Sequence, residues 1–391
     1  MSQKTPQNMI SVDNALALLD KHRPNWGEQR VDLSRANGCI LAQDIIAPIT
    51  FPAHAVSVMD GYALRKSDRD NSLTIIGESR AGVPFDGHVK PNETVRIFTG
   101  ALIPDGADQV EIQENAILGE DSTVTFTPRQ ANRHYIRPSG ADFSAGDLLF
   151  RAGERITPAM ILGLATCNLA EVTVKKMPTI ALLSSGDELK PVGSKLKTGQ
   201  IINSIMPALT ARLKDWGVHV IDLGIATDDP NDIRAKFEAC TADIIVPIGA
   251  ASVGDYDFMK PTALDLGFTS IFSKVAVKPG KPAWFSRRAE QCILGLPGNP
   301  SSAWVAAHLF LYYLVFGTLP WSKAQLTQAM PSNGPRESFL RARLSSIGTV
   351  TTLNRQDSGL VVPLSQADCL IRRAPNSPAL AENETTQILM F

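Results

Sequence analysis

The chain is 391 residues long, 44% hydrophobic, 20% charged and 6% aromatic, with 38 Lys plus Arg against 39 Asp plus Glu. At roughly 150 residues per domain that length implies two or three folded units, and the balanced charge supplies no global field to draw the protein to nucleic acid or to an anionic membrane. Five scattered cysteines, Cys39, Cys167, Cys240, Cys292 and Cys369, are nowhere spaced as C-x-x-C, which argues against a disulfide or zinc framework and for a reducing compartment. The opening MSQKTPQNMISVDN lacks an apolar signal core, and no run approaches the roughly 18 apolar residues of a membrane helix. Cytoplasm is the expected location.

Ser11 is placed to cap a helix whose stripe is Val12, Ala15, Leu16 and Leu19. From about Phe51 to Arg137 the pattern changes to short alternating runs, SLTIIG, ETVRIF and STVTFT, broken by Gly82 and by Pro104-Asp105-Gly106, which predicts a small all-β insert. Thr157 and Pro158 form an N-cap and N1 pair opening the apolar helix AMILGLATC. Between about Thr179 and Tyr313 strand-like runs (TIALLSS, VHVIDLGI, ADIIVPIG, FSKVAV, CILGLP) alternate with helical stretches, one opening at Asp229-Pro230 and one running from Pro300 to about Phe316. That rhythm predicts a parallel, doubly wound sheet. The segment 317–335 reads as a linker, and FLRARL, TVTTL, LVVPL and QILMF predict a terminal β-domain. The fold class expected is α/β with all-β parts: a doubly wound parallel sheet domain, a β-rich insert and a C-terminal β-domain.

In an open parallel sheet, ligands bind outside the carboxyl ends of the strands. The loops SSGDEL, ATDDP, GAASVGDYD, KPGKP and PGNP all follow such strands and place Glu188, Asp228, Asp229, Asp255 and Asp257 in one crevice with Lys278 and Lys281. Two carboxylates about 6 Å apart repel by roughly 3 kcal/mol at an effective dielectric near 20, so the cluster calls for a cation. A hard divalent ion, Mg²⁺ first, suits oxygen ligands, and lysines beside it suit a phosphate or oxyanion substrate. Each loop taken alone has a plainer reading. Asp228-Asp229-Pro230 also fits a turn with a helix cap, KPGKP a turn with solvated lysines, and GDEL a loop of solvated acids. There is no G-x-x-x-x-G-K-[ST] loop and no G-x-G-x-x-G fingerprint, so neither a P-loop enzyme nor a dinucleotide dehydrogenase is favoured. The six histidines show no metal-ligand spacing and read as packing or surface residues.

In order and spacing, VMDGYA (58–63), IFTGALIPDGAD (97–108), Gly140-Ala141-Asp142, SSGDEL, GQII, GIATDDP, ASVGDYD, KPGKP and LPGNP resemble the molybdopterin molybdenumtransferases, the bacterial MoeA proteins and the related C-terminal domain of gephyrin. The resemblance runs from about Ser11 to Pro320, with the terminal β-domain weaker. It implies Mg²⁺-dependent insertion of molybdate into adenylylated molybdopterin, releasing AMP and molybdenum cofactor. It further implies a homodimer whose site joins the α/β domain of one chain to the β-insert of the other, and a molybdopterin adenylyltransferase as partner. The implied subunit has four parts: 27–50 with 138–177, 51–137, 9–26 with 178–320, and 321–391. Carried onto this sequence, the catalytic positions are Asp60, Thr99, Asp142, Glu188, Lys274, Lys278 and Lys281, and the metal positions are Asp228, Asp257 and Glu188. Cofactor binding falls to Ser184, Gly186, Asp187, Gly249, Ser252, Gly254, Pro297, Gly298, Asn299 and Pro300.

Four family motifs are softened here. An acid and an amide become Ala55 and Val56, an acid becomes Ala141, the D-[ST]-N after GQI becomes Asn203-Ser204-Ile205, and a glycine becomes Ala250. These departures keep open a divergent, non-catalytic paralogue that binds molybdopterin or a partner protein. A third reading is an enzyme acting on another nucleotide diphosphate.

Overall fold

The structure is a computed structural model in which residues 9–128, 134–249 and 258–391 are described. The chain divides into two compact units, Met1–Gly27 with Lys176–Phe391, and Glu28–Lys175. No helix among the described residues is long and apolar enough to cross a membrane.

In the first unit a six-stranded sheet runs in the order His219–Ala226, Thr179–Ser185, Ile244–Ile248, Gln291–Gly295, Trp284–Arg288, Thr269–Phe272. The first four strands are parallel. Ile244–Ile248 is buried along its whole length, as a strand covered on both faces must be. The last two strands extend the sheet antiparallel. Only two residues separate Arg288 from Gln291, too few for a crossover, so a hairpin is the one available connection. One apolar layer under the sheet includes Val12, Ala15 and Leu19 from the helix Val12–His22, whose Ser11 cap accepts the Asn14 N–H at 3.1 Å. The same layer takes Leu309, Phe310 and Leu314 from the helical segment 300–316, which contains one π-helical turn at Ala307–Leu311.

A second sheet in this unit runs Val277–Lys278, Glu337–Leu344, Thr349–Thr352, Trp321–Leu326, Thr385–Met390, Cys369–Arg373. Pairing of Glu337–Leu344 with Cys369–Arg373 closes five of these strands on themselves around Leu326, Ala342, Val350, Ile371 and Ile388. Three expectations change here. The segment expected as a linker contains the strand Trp321–Leu326, in which Ala324 and Leu326 are buried while Lys323 and Gln325 are exposed, a period-2 pattern concealed by its polar composition. LVVPL forms a short helix, Val362–Ser365, because Pro363 has no N–H to give a ladder. FSKVAV is no strand of the α/β sheet: that strand ends at Phe272, Val275 bridges Ile10, and Val277–Lys278 pairs with Glu337–Ser338. The terminal sheet therefore holds the lysine loop.

The second unit carries the mixed sheet Gln109–Ile112, Gly61–Leu64, Glu93–Ile97, Leu73–Ser79, Thr123–Phe126, Ala116–Leu118, containing the three runs expected as strands. Beside it, Glu28–Asp32 pairs antiparallel with Glu171–Lys175. The helix Pro158–Thr166 is capped by Thr157, which accepts the Met160 N–H at 3.2 Å and has Pro158 at the first position. Its Leu164 packs with Leu41, Ile156 and Val174.

Candidate functional site

The carboxyl ends of the parallel strands are polar, as expected. Ser185 donates its hydroxyl to Asp228 Oδ1 at 3.0 Å, and the Asp228 N–H leans on Asp187 Oδ1 at 3.3 Å. Fully buried Ser184 accepts from Asn203 Nδ2 at 2.9 Å. The Glu188 carboxylate lies over Gly186, where an added Cβ would come within 2.4 Å of Oε2. Asp229 is the helix cap, accepting the Asn231 N–H at 2.9 Å. Of the two adjacent acids, Asp228 alone therefore turns to the strand ends.

Glycine lets three loops touch by their backbones. At Gly249 (φ +102°) a Cβ would sit 2.7 Å from the Ser185 carbonyl oxygen, and at Gly298 it would sit 3.0 Å from Gly249 Cα. Ser185, Gly249 and Gly298 thus approach closely by their backbones, the first pair at a distance no larger residue at 249 tolerates. Ser252, Gly254 and Asp257, with Asp255 and Ala250, lie outside the described residues.

Lys278 and Lys281 line a cavity of about 520 Å³ together with Ser302, Arg336, Gln356 and Asp357. Lys274 is not in that lining; its carbonyl accepts the Ile10 N–H at 3.2 Å. The far wall is pinned by Arg341, which is 2% exposed. Its Nη1 donates to Ser301 Oγ and Leu360 O, both at 3.0 Å, and its Nη2 to Arg355 O and Asp357 O, both at 2.9 Å. Because Ser301 lies one residue beyond Pro300, this arginine ties the 355–360 loop to the start of the helix that follows LPGNP. Sequence reading missed Arg336 and Gln356, which lie in none of the motifs above, and Arg341, since FLRARL reads as an alternating strand whichever cation it carries. A larger groove of about 650 Å³, lined by Met206, Pro207, Ala211 and Ile225, has Lys214 and Asp222 as its charged lining residues. It has one cation in its lining against three lysine and arginine side chains besides Arg341 in the smaller cavity, which is therefore better suited to an anion.

In the second unit, Asp60 Oδ1 accepts both the N–H and the hydroxyl of Thr99, each at 2.8 Å. These two bonds hold the Asp60 carboxyl below its ordinary range, and the nearby Arg96 guanidinium adds a smaller pull. Asp142 is exposed, with its N–H donated to Phe51 O at 3.2 Å. Among the departures, Val56 pairs with Arg137, Ile205 opens the helix Ile205–Asp215, and Asn203 Oδ1 accepts the Met206 N–H at 3.5 Å. Ala141 is exposed.

Among the described residues no group of three or more His, Cys, Asp or Glu side chains is gathered as for a metal ion. Asp187, Glu188 and Asp228 come from loops at these strand ends and offer only oxygen, the donor type a hard divalent cation takes, without being gathered around one point.

Residues 10–168 match the MoeA N-terminal region (domain I and II), residues 181–316 a probable molybdopterin binding domain, and residues 323–391 the MoeA C-terminal region (domain IV). A molybdopterin molybdenumtransferase of Haemophilus influenzae is 36% identical over 323 residues, covering 81% of this chain and 80% of its own length. The chain belongs to the MoeA family. A molybdopterin molybdenumtransferase of Staphylococcus aureus is 31% identical over 403 residues, covering 98% of this chain and 96% of its own. The crystal structure of a MoeA molybdopterin biosynthesis protein from Pyrococcus horikosii superposes with a TM-score of 0.83 at 26% identity, covering 98% of this chain and 99% of that one. MoeA membership gives the chain a role as an enzyme of molybdenum cofactor biosynthesis.

Proposed function

We propose that this MoeA protein transfers molybdenum from molybdate to adenylylated molybdopterin in a Mg²⁺-dependent reaction, releasing AMP and molybdenum cofactor. The observation that carries this reading is the cavity where Lys278, Lys281 and Arg336 converge, walled by the helix that follows LPGNP. Preorganised cations stabilise negative charge that develops on an oxyanion or a leaving phosphate, and they do so best where water is excluded. Glycines at 186, 249 and 298, where Ser185, Gly249 and Gly298 already pack closely, leave backbone N–H groups without side chains in the way and would suit a diphosphate. Asp228 and Glu188 are the described residues that would hold Mg²⁺, with Asp187 beside them; the ion would screen the diphosphate charge and polarise its phosphoryl oxygens. Asp60, fixed by Thr99, presents an ionised carboxylate as a fixed acceptor.

The protein is further read as a cytoplasmic homodimer that takes its adenylylated substrate from a molybdopterin adenylyltransferase. The family resemblance supports this reading, and a solution mass of one 42.2 kDa chain would refute the dimer. The deciding assay measures AMP released from adenylyl-molybdopterin with and without molybdate. Release that depends on molybdate is expected. Tight substrate binding without release would return the chain to the non-catalytic paralogue.

A further inference from the structure

Asp60 is fixed by more than Thr99. Its own carbonyl accepts the Gln113 N–H at 3.0 Å. The Gln113 side-chain oxygen accepts from Arg96 Nη2 at 2.5 Å, and Arg96 Nη1 donates to the carbonyl of Gly61, the residue after Asp60, at 3.0 Å. The Arg96 guanidinium is held between two rings, 5.0 Å from the centroid of Tyr62 and 4.8 Å from that of Phe98. Phe98 immediately precedes Thr99. Arg96 therefore touches both turns that meet at the Asp60 carboxylate, and Gln113 closes the circuit by binding the Asp60 backbone and the Arg96 fork together. Gly61 cannot be replaced by a larger residue, because a Cβ there would meet the Glu111 carbonyl oxygen at 2.0 Å.

We propose that Arg96 and Gln113 are positioning residues that lock the Asp60 carboxylate to Thr99 in one orientation. A planar guanidinium suits this role where an ammonium would not, since it stacks on two rings while sending two N–H groups to different acceptors. The consequence for turnover rests on the reaction proposed above; the consequence for Asp60 itself does not.

The test uses the full chain labelled with ¹³C-aspartate, the Asp60 signal being assigned with Asp60→Asn. In Arg96→Met the titration midpoint of Asp60 moves up and the Thr99 amide resonance shifts. AMP release falls roughly ten-fold in kcat, with KM for adenylyl-molybdopterin changed by less than about two-fold. Arg96→Lys restores the charge without the fork, so it recovers the midpoint further than it recovers kcat. Gln113→Leu removes one exposed amide and should move the same readouts in the same direction by less, which keeps the proposal testable if Arg96→Met fails to fold. An Asp60 midpoint and Thr99 resonance that match wild type in a folded Arg96 or Gln113 variant overturn it. If the wild type releases no AMP but the midpoint still moves, the reaction reading falls and the clamp stands.

Discussion

The two acidic sites differ in who satisfies the carboxylate. Asp60 has two donors on one oxygen and a cation behind it, all from its own sheet, whereas Asp228 receives one serine hydroxyl and leans by its N–H on another acid. A carboxylate that the protein satisfies is a fixed part of the wall. One with a single serine donor among the described residues, and a second acid beside it, suits the cation proposed above. The same contrast runs through the basic groups: Arg341 has its donors matched by backbone and Ser301 oxygens, while Lys278 and Lys281 stand over open volume. Groups saturated within the protein can build a site, and groups that are not are the ones proposed to serve a ligand.

The strongest way to break this division is Arg341→Met, which leaves Arg355 O, Asp357 O and Ser301 Oγ without this donor, while Leu360 O keeps the Ser301 hydroxyl at 3.1 Å. Each buried acceptor left unpaired costs about 1–3 kcal/mol, and loosening of the loop toward water would recover part of it. Urea unfolding should show a loss of about 4 kcal/mol. A loss below about 1 kcal/mol would mean that Arg341 is no more structural than the lysines opposite.

Asp228→Asn should do the reverse. Its stability should stay within about 0.5 kcal/mol of wild type, since a loop amide still accepts from Ser185. Turnover should drop about a hundred-fold and demand far more Mg²⁺, as expected when an ion loses a charged ligand. Full turnover at low Mg²⁺ would remove Asp228 from the metal set.

Much of this was legible because it is local. The caps at Ser11, Thr157 and Asp229 follow from residue chemistry at one helix end, and Ile244–Ile248 announces burial by composition alone. The strand Trp321–Leu326 was concealed because three of its six residues, Ser322, Lys323 and Gln325, are polar and exposed against two, Ala324 and Leu326, that are buried. Placement of Val277–Lys278 in the terminal sheet was illegible, because its partner Glu337–Ser338 lies some 60 residues on and no periodicity encodes that pairing. Arg341 was missed for the same reason: its value lies in carbonyls from residues 355–360, invisible from FLRARL.

His308 sharpens the comparison from inside the core. It is 2% exposed on the π-helical turn and packed against Trp304 and Trp216. Its Nδ1 lies 2.9 Å from Trp304 O, an acceptor only, so Nδ1 carries the proton, while Nε2 has no partner among the described residues. Burial pushes its pKa from 6.5 down to about 3, against the Trp304 hydrogen bond and with help from Arg212. The unfolded chain therefore binds this proton below pH 6.5 and the folded chain only near pH 3, so stability falls as pH drops through that window and levels off beneath it. Between pH 7 and pH 5 the loss from this one group is about 2 kcal/mol. His308→Phe, similar in volume, should flatten that segment of the pH–stability curve. An unchanged slope would place the acid sensitivity elsewhere.

The smallest expected effect belongs to Thr99. Thr99→Val removes the hydroxyl on Asp60 Oδ1 but keeps the backbone N–H on the same oxygen. The backbone bond is the larger cause of the lowered Asp60 pKa and it survives, so the carboxyl should titrate only somewhat higher than in wild type. Thr99 is exposed, so fold stability should be unchanged. AMP release should fall by less than in Arg96→Met, about three-fold, because the turn that carries the N–H is still held against Phe98 by Arg96. Thr99→Ser, which keeps the hydroxyl, should behave as wild type. If Thr99→Val instead lost as much activity as Asp228→Asn, the hydroxyl would be meeting substrate directly, and Asp60 would be serving Thr99 rather than the reverse.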